Sequence, residues 1–203
     1  MKNTNTAFGF DLDGTVTRKE VLPIIAAELG LAEEIGFLTQ MTIKGQIPFE
    51  MSFRLRCRLL AEIEVDKVAE IVAQVPVDGV IAGFLSDNRE QCFIVTGNLD
   101  VWVERLAARL GCRVYSSNAQ KRPDGRLGQL THVLRKSAAI RDLRSRFARV
   151  VCIGEGYNDL PMFEEADIGV AYGGVHPPAR EVIENSDYVI GNGEALCRLL
   201  STL

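Results

Sequence analysis

The sequence predicts an α/β fold: a doubly wound, Rossmann-like parallel sheet with a small all-helical cap inserted after the first strand. Short, almost continuous apolar runs recur along the chain and end at glycine or acidic residues. Such runs are typical of parallel strands that are covered on both faces. Segments with helical spacing separate the runs, and this alternation indicates a doubly wound sheet. After the first run comes a long interval with helical spacing only.

The strands are predicted from the apolar runs. They lie at residues 7–12, 92–97, 149–154, 167–172 and 187–191, with a further short strand at 113–117. Beyond that short strand, the pair Asp124 and Gly125 favours a hairpin with a type I′ turn.

The helices are predicted from apolar positions at helical spacing. Those that separate strands lie at 99–110, 132–147, 158–166, 177–185 and 193–202. Those of the long interval lie at 19–30, 32–44, 48–62 and 66–74, with Gly30, Gly45 and Pro76 as boundaries. We therefore expect a core of residues 1–16 and 77–203 and a cap of residues 17–76.

Composition narrows the class of protein. The chain has 203 residues, of which 47% are hydrophobic and 25% charged, as in ordinary globular proteins. A net charge of −4 without long runs of one sign argues against a nucleic-acid partner. No run approaches the roughly 18 apolar residues of a membrane span, and the first residues lack a signal-peptide pattern. Five cysteines without a CxxC pair indicate reduced thiols and a cytoplasmic protein. The sequence leaves open whether the protein is a monomer or a homodimer.

Two carboxylates follow the first strand, in the sequence DLDGT at 11–15. Asp11 and Asp13 are two residues apart, so on a strand they share one face, at the edge where open α/β sheets bind ligands. Because the two charges repel, a divalent cation with a preference for oxygen ligands, such as Mg²⁺, is one explanation. Gly14 allows the sharp exit from the strand, and an ordinary turn is the alternative.

A hydroxyl and free backbone N–H groups follow the second long strand. Thr96, Gly97 and Asn98 can receive a phosphate there, although a plain strand-to-helix turn gives the same pattern. Lys136 lies within a predicted helix, where a lone lysine is normally a solvated surface residue.

Acidic residues return after the apolar run at 149–154. Glu155 or Asp159 can complete a metal site at the same sheet edge. The alternative is that Asn158 or Asp159 only caps the following helix.

In this order, DLDGT, the Thr96 turn, Lys136 and GEGYND resemble the four motifs of the haloacid dehalogenase superfamily of phosphohydrolases. The resemblance implies that Asp11 is a nucleophile that forms an aspartyl phosphate, and that Asp13 is general acid and then base. It also implies Mg²⁺ bound by Asp11, the Asp13 carbonyl and the first acidic residue of the fourth motif. The metal-ligand candidates are Asp11, Asp13, Glu155 and Asp159. The candidates for phosphoryl binding are Thr96, Gly97, Asn98, Lys136 and Asn158.

The cap resembles that of the phosphoserine phosphatases within this superfamily, through Glu20 and the segment 45–56. The resemblance implies that Glu20 binds a substrate ammonium, Arg56 binds its carboxylate, and Phe49 closes over the site. A guanidinium suits a carboxylate because it offers two parallel hydrogen bonds. The structural alternatives are a helix-start glutamate, a surface arginine and a core phenylalanine.

We therefore expect a Mg²⁺-dependent phosphomonoester hydrolase for O-phosphoserine or a similar small phosphorylated amino acid. The alternatives are a phosphatase or phosphotransferase for another small phosphorylated metabolite, and a metabolite-binding module without catalysis. Two departures from the family pattern bear on this choice: Glu155 stands where aspartate is usual, and Asn98 where glycine is usual.

Overall fold

The computed structural model describes residues 5–203, so residues 1–4 of the expected core lie outside the described residues. A seven-stranded sheet has the order β4-β3-β2-β1-β5-β6-β7, and only the β3–β4 pair is antiparallel. The strands are β1 (Thr6–Phe10), β2 (Cys92–Leu99), β3 (Arg113–Lys121), β4 (Leu127–His132), β5 (Arg149–Gly154), β6 (Ile168–Tyr172) and β7 (Tyr188–Ile190). This architecture confirms the predicted α/β class.

Strand β1 lies at the centre, between β2 and β5. Phe10, its last residue, is in register with Ile94 of β2 and with Ile153 of β5. The strand order reverses at the β1–β5 pair, and in open α/β sheets such a point opens a crevice outside the carboxyl ends of the strands. The segments that follow β1, β2 and β5 therefore meet at one edge.

The sheet is buried on both faces. Successive side chains of its central strands point to opposite sides, and each side packs in an apolar cluster. Phe8 and Phe10 of β1 belong to the larger apolar cluster, whereas Ala7 belongs to a second cluster on the other side. In β5, Val151 likewise joins the larger cluster and Val150 the smaller. This two-sided burial explains why these strands are almost continuously apolar in sequence.

Ten helices surround the sheet in the described part of the chain. The first four are α1 (Val21–Ala26), which continues as a 3₁₀ turn (Ala27–Leu29), α2 (Ala32–Ile43), α3 (Phe49–Leu60) and α4 (Val65–Ala73). The others are α5 (Gly79–Asp87), α6 (Asp100–Leu110), α7 (Lys136–Arg144), α8 (Leu160–Phe163), α9 (Arg180–Glu184) and α10 (Gly193–Leu200). No helix among residues 5–203 combines the length and apolar character that a bilayer crossing needs.

Helix α5 is absent from the sequence prediction, which placed no element between Pro76 and β2. The Asp78 carboxylate accepts hydrogen bonds from the backbone N–H groups of Val80 (2.9 Å) and Ile81 (3.1 Å). An aspartate in this position is a strong helix-start signal, so Asp78 is the feature that could have identified the helix.

The predicted type I′ turn is wrong. Among the described residues only glycines have positive φ, so Asp124 does not adopt the conformation that a type I′ turn needs there. Instead the Gly125 N–H donates to the carbonyl of Arg122 (3.0 Å), and Gly125 has φ of +82°. Pro123, whose φ is fixed near −65°, favours the second position of a type I turn and determines this outcome.

The predicted helix at 132–147 also begins too early. Strand β4 extends to His132, which pairs with Asn118 of β3, and the N–H of Leu134 donates to Ser117 Oγ (3.0 Å). These contacts with β3 hold the chain in an extended form up to the start of α7. Lys136 is therefore the first residue of its helix and not an interior one.

Helices α1–α4 form a segment that leaves the sheet after Val16 and returns at Val77. Thr17 and Val77 pair as an antiparallel bridge, and the Asp78 N–H donates to the carbonyl of Val16 (2.9 Å). Helix α4 also contacts the β3–β4 hairpin, where the N–H of Val65 donates to the carbonyl of Gly125 (2.9 Å). The helical segment is thus fixed at its base and at one side.

Candidate active site

A small cavity of about 50 Å³ lies between the carboxyl edge of the sheet and helices α1–α3. Nine of the residues predicted from the sequence line it: Asp11, Asp13, Glu20, Phe49, Arg56, Gly97, Asn98, Glu155 and Asn158. Its volume corresponds to one or two water molecules, each of which takes about 30 Å³ in the liquid. A larger cavity of about 520 Å³ adjoins it, and Thr42, Phe49 and Asn158 line both.

A buried lysine connects the first and fourth motifs. Lys136 Nζ donates hydrogen bonds to Asp11 Oδ1 and to Asp159 Oδ1, the latter at 2.6 Å. Burial lowers the pKa of Lys136, but the negative charges of Asp11 and Asp159 outweigh it and raise the pKa above its ordinary value. Burial and the charge of Asp159 raise the pKa of Asp11, although Lys136 opposes them. Lys136 therefore places a permanent positive charge against Asp11.

Asp13 lies in a tight turn that requires glycine at the next position. Gly14 has φ of +71°, a left-handed conformation that other residues rarely adopt. Asp13 Oδ1 accepts a hydrogen bond from the Val21 N–H (2.8 Å), and Oδ2 accepts one from Asn98 Nδ2 (2.5 Å). Desolvation, followed by the charge of Glu20, raises the pKa of Asp13 to about 7. Both protonation states of Asp13 are accordingly accessible near neutral pH.

The turn after β2 brings a predicted cap residue onto a predicted phosphate-binding residue. The Phe49 ring packs on Gly97 so closely that a Cβ atom at Gly97 would lie 2.1 Å from Phe49 Cζ. The buried Thr96 does not line the small cavity; its Oγ1 accepts hydrogen bonds from Asn98 N (3.1 Å) and Nδ2 (3.3 Å). Phe49 therefore covers the backbone of this turn, and Thr96 helps to orient Asn98.

Glu155 and Asp159 have different surroundings in the turn after β5. Both Asp159 oxygens accept hydrogen bonds, Oδ1 from Lys136 and Oδ2 from the N–H groups of Glu155 and Gly156 at 2.9 Å each. The buried Glu155 carboxylate lies against Gly14, where a Cβ atom would be 2.6 Å from Glu155 Oε1. Burial, then the charges of Glu20 and Asp11, raise the pKa of Glu155 to about 10.

Asp11, Asp13 and Glu155 line the same cavity and are the residues that could hold a hard divalent cation. All three donors are carboxylates, and burial raises the pKa of each, with repulsion from neighbouring carboxylates adding to the effect. A bound cation reverses this effect because it stabilises the ionised forms. Oxygen-only donor sets are those that Mg²⁺ prefers.

The opposite wall of the cavity carries a buried arginine. Arg56, which is 4% exposed, donates from Nη1 to Thr39 Oγ1 (2.9 Å) and from Nε to the carbonyl of Ser52 (3.3 Å). Burial lowers its pKa, although Asp13 and Glu20 oppose this effect. Phe49 and Phe53 stack with their ring centroids 5.3 Å apart beside it.

Several residues of the site were not predicted from the sequence. Thr39 and Ser52 orient Arg56, and Leu22, Thr42, Ile43 and Phe53 also line the cavity. His176, in the loop after β6, places Nε2 3.5 Å from Glu20 Oε1. The chain has only two histidines, and this scarcity was the one sequence feature that could have drawn attention to His176.

Residues 8–164 match the family model described as haloacid dehalogenase-like hydrolase. The chain belongs to this family. A second model with the same description matches residues 134–195. The resemblance drawn from the four motifs is thereby confirmed.

Curated relatives carry a more specific name. The phosphoserine phosphatase of Methanocaldococcus jannaschii is 27% identical over 175 residues, which are 80% of this chain and 83% of that protein. The phosphoserine phosphatase of Streptomyces coelicolor is 32% identical over 183 residues, and the match covers 84% of this chain but 44% of that longer protein.

Solved structures share the fold. A phosphoserine phosphatase with bound substrate superposes with a TM-score of 0.84 at 21% identity and full coverage of both chains. A haloacid dehalogenase family hydrolase from Salmonella enterica serovar Typhi gives a TM-score of 0.79 at 26% identity, over 95% of this chain and 71% of the other.

Proposed function

We propose that this chain is a Mg²⁺-dependent phosphomonoester hydrolase that acts on O-phosphoserine, or a similar small phosphorylated amino acid, through an aspartyl phosphate on Asp11. One observation carries the proposal: Asp11, Asp13, Glu20 and Arg56 line the same small cavity. The first pair supplies groups for phosphoryl transfer, and the second supplies opposite charges for a zwitterion. The names of the curated relatives support the same substrate.

In the first half of the proposed reaction, a carboxylate oxygen of Asp11 attacks phosphorus and the bond from phosphorus to the seryl oxygen breaks. Asp13 donates its proton to that oxygen, so serine leaves as an alcohol. Lys136 offsets the negative charge of Asp11 and of the phosphoryl group, which lowers the repulsion that opposes attack. The products of this half are serine and the aspartyl phosphate.

In the second half, Asp13 as carboxylate takes a proton from water, and the water oxygen attacks phosphorus. The bond from phosphorus to Asp11 breaks, inorganic phosphate leaves, and Asp13 is again protonated. A pKa of about 7 suits a residue that works once as acid and once as base. The hydrogen bonds from the Val21 N–H and Asn98 fix its orientation for both steps.

Asp11, Asp13 and Glu155 are the residues that we propose to hold Mg²⁺. When bound, the ion supplies positive charge that offsets the phosphate and the attacking carboxylate. Asp159 has both oxygens engaged by Lys136 and two backbone N–H groups, so we propose that it orients Lys136 and the turn. The ligand role of the fourth motif then belongs to Glu155.

The cap of residues 17–76 is proposed to select the substrate. Arg56 has two of its five N–H groups engaged by Thr39 and Ser52, and within the described residues its Nη2 has no hydrogen bond. That nitrogen can receive the substrate carboxylate, and Glu20 can receive the ammonium. Since the cavity of about 50 Å³ is too small for phosphoserine, we propose that Phe49 moves from Gly97 toward the adjoining larger cavity when the substrate enters.

A different small phosphorylated metabolite, or transfer to an acceptor alcohol, is a second candidate that Asn98 favours. Glycine is usual at position 98 in the family. The Asn98 side chain contacts Asp13 and so narrows the space for the leaving alcohol. A non-catalytic binding module fits poorly, because Asp11, Asp13 and Lys136 are all in place.

The free state of all five cysteines supports a reducing, cytoplasmic location.

Release of inorganic phosphate from a panel of phosphorylated metabolites, with and without Mg²⁺, tests the proposal. We expect turnover of phosphoserine only with Mg²⁺, and none in the Asp11→Asn variant. Faster turnover of substrates that lack an ammonium and a carboxylate would refute the substrate assignment. Binding of phosphoserine without phosphate release by the native protein would refute the enzymatic assignment.

A further inference from the structure

Three buried polar side-chain atoms converge beside the proposed Mg²⁺ site. Among residues 5–203, Glu20 Oε1, Glu155 Oε2 and His176 Nε2 are buried and make no hydrogen bond of normal geometry. Glu20 Oε1 and His176 Nε2 do face each other at 3.5 Å, and the contact with Glu20 raises the pKa of His176, whereas Glu155 Oε2 has no partner. One ligand atom from each of the three residues lies within 4.8 Å of the other two. Glu155 itself is only 2% exposed. Buried polar atoms are normally satisfied, so the unpartnered Glu155 Oε2 beside the Glu20–His176 pair points to a ligand that all three residues share.

The chemistry of the three groups defines that ligand as a cation. Two are carboxylates that repel each other, which is one reason for the raised pKa of Glu155. The third is an imidazole nitrogen, which suits zinc and neighbouring transition metals and is a poor ligand for Mg²⁺. Two carboxylate oxygens and one imidazole nitrogen can provide the three protein ligands that open, four-coordinate zinc sites use.

We propose that Glu20, Glu155 and His176 bind a divalent transition-metal ion of the zinc class, next to the Mg²⁺ site and sharing Glu155 with it. Ligand atoms of a tetrahedral ion with bonds of about 2.1 Å lie about 3.4 Å apart. The separation of 3.5 Å between Glu20 Oε1 and His176 Nε2 already matches this spacing. The remaining separations, within 4.8 Å, close by small side-chain rotations.

The ion site also gives a reason for one departure in sequence, the glutamate at position 155. An aspartate at position 155 has an arm shorter by one methylene, and the longer arm of Glu155 lets its carboxylate take part in both sites. His176 supplies the nitrogen ligand from the loop after β6, beyond the four motifs. Glu155 and His176 would therefore act together as ligands of this ion.

The ion site has a regulatory consequence, which rests on the proposed function. An ion on Glu20 occupies the carboxylate that would bind the ammonium of phosphoserine. Zn²⁺ at saturating Mg²⁺ therefore raises the KM for phosphoserine and leaves an aryl phosphate, which has no ammonium, unaffected. The site would make hydrolysis of the amino-acid substrate sensitive to transition metals.

NMR of the two imidazole rings tests the site without any measurement of activity. The chain contains only His132 and His176, so each ring can be assigned with the His132→Ala variant. With the full-length protein saturated with Mg²⁺, Zn²⁺ should shift the ring nitrogens of His176 at one equivalent. His132, which is exposed at the end of β4, serves as the matched control and should not shift.

Ligand variants complete the test. His176→Ala and Glu20→Gln should each weaken Zn²⁺ binding by at least the roughly 10- to 100-fold that loss of an outer-shell partner costs. Asp11→Asn, which removes a proposed Mg²⁺ ligand, should leave the Zn²⁺-induced shift of His176 in place. An unshifted His176, or equal Zn²⁺ affinity in His176→Ala, would overturn the ion site and leave the phosphatase proposal standing. A shifted His176 with an unchanged KM for phosphoserine would instead overturn the assigned role of Glu20 in substrate binding.

Discussion

Replacing Arg56 by alanine separates recognition of the substrate from the chemistry of phosphoryl transfer. Arg56 is 4% exposed, so a substrate carboxylate that it binds is shielded from water. Truncating one partner of such a desolvated, charge-assisted pair costs about 2–4 kcal/mol. Because each 1.4 kcal/mol changes kcat/KM about tenfold, we expect kcat/KM for phosphoserine to fall by about 30- to 700-fold. An aryl phosphate without a carboxylate should lose less than about threefold, since it forms no contact with Arg56.

Arg54 is the matched control for this substitution. It lies on the same helix, α3, but its side chain is 52% exposed and forms an i,i+4 ion pair with Glu50. Such a pair contributes only about 0.3–0.5 kcal/mol, so Arg54→Ala should leave both activities nearly unchanged. Steady-state kinetics on both substrates, with circular dichroism to check folding, provide the comparison. Equal losses on phosphoserine and on the aryl phosphate in Arg56→Ala would refute the carboxylate-binding role.

Three further predictions test the other parts of the site. Glu155→Gln should raise the Mg²⁺ concentration for half-maximal activity by about 10- to 100-fold, because a second anionic ligand contributes a few kcal/mol. Glu155→Asp should raise it by less. An unchanged Mg²⁺ titration in the glutamine variant would show that Glu155 is not a ligand. The raised pKa of Asp13, about 7, and of Glu155, about 10, means that the folded, metal-free protein binds more protons than the unfolded chain above about pH 4. The midpoint temperature of its thermal unfolding should therefore decrease as the pH rises from 5 to 8, and Mg²⁺ should restore the midpoint at pH 8. A midpoint that rises with pH in the absence of metal would contradict these pKa shifts. Gly97→Ala should displace Phe49 and raise KM. Adding Phe49→Ala to the same chain should relieve the clash. A Gly97→Ala variant that is active with native KM would show that Phe49 does not pack on Gly97.

The sheet was predictable because its strands are buried on both faces. That burial makes β1, β2 and β5 almost continuously apolar, and their carboxyl ends place Asp11, Asp13 and Glu155 at one edge whatever the details of the loops. The turn after β3 was not predicted correctly, because the signal from Asp124 and Gly125 competes with the fixed φ of the preceding proline.

Contacts between distant segments account for what the sequence did not predict. Thr39 meets Arg56 only because α2 packs on α3, and no motif links them. His176 reaches Glu20 from a loop after β6, so neither spacing nor periodicity relates the two. Helix α5 is different, because a local signal for it exists in the sequence: the helix-start aspartate Asp78.

The central claim is that Asp11 carries the phosphoryl group during turnover, and direct trapping of that group tests it. Native protein with Mg²⁺ is mixed with phosphoserine, quenched in acid, reduced with borohydride and digested, so that the phosphorylated aspartate is converted to homoserine. Mass spectrometry of the resulting peptides should place the conversion at Asp11, and Asp11→Asn should show none. Conversion at Asp13 or another carboxylate, or phosphate release from native protein without any conversion at Asp11, would contradict the account.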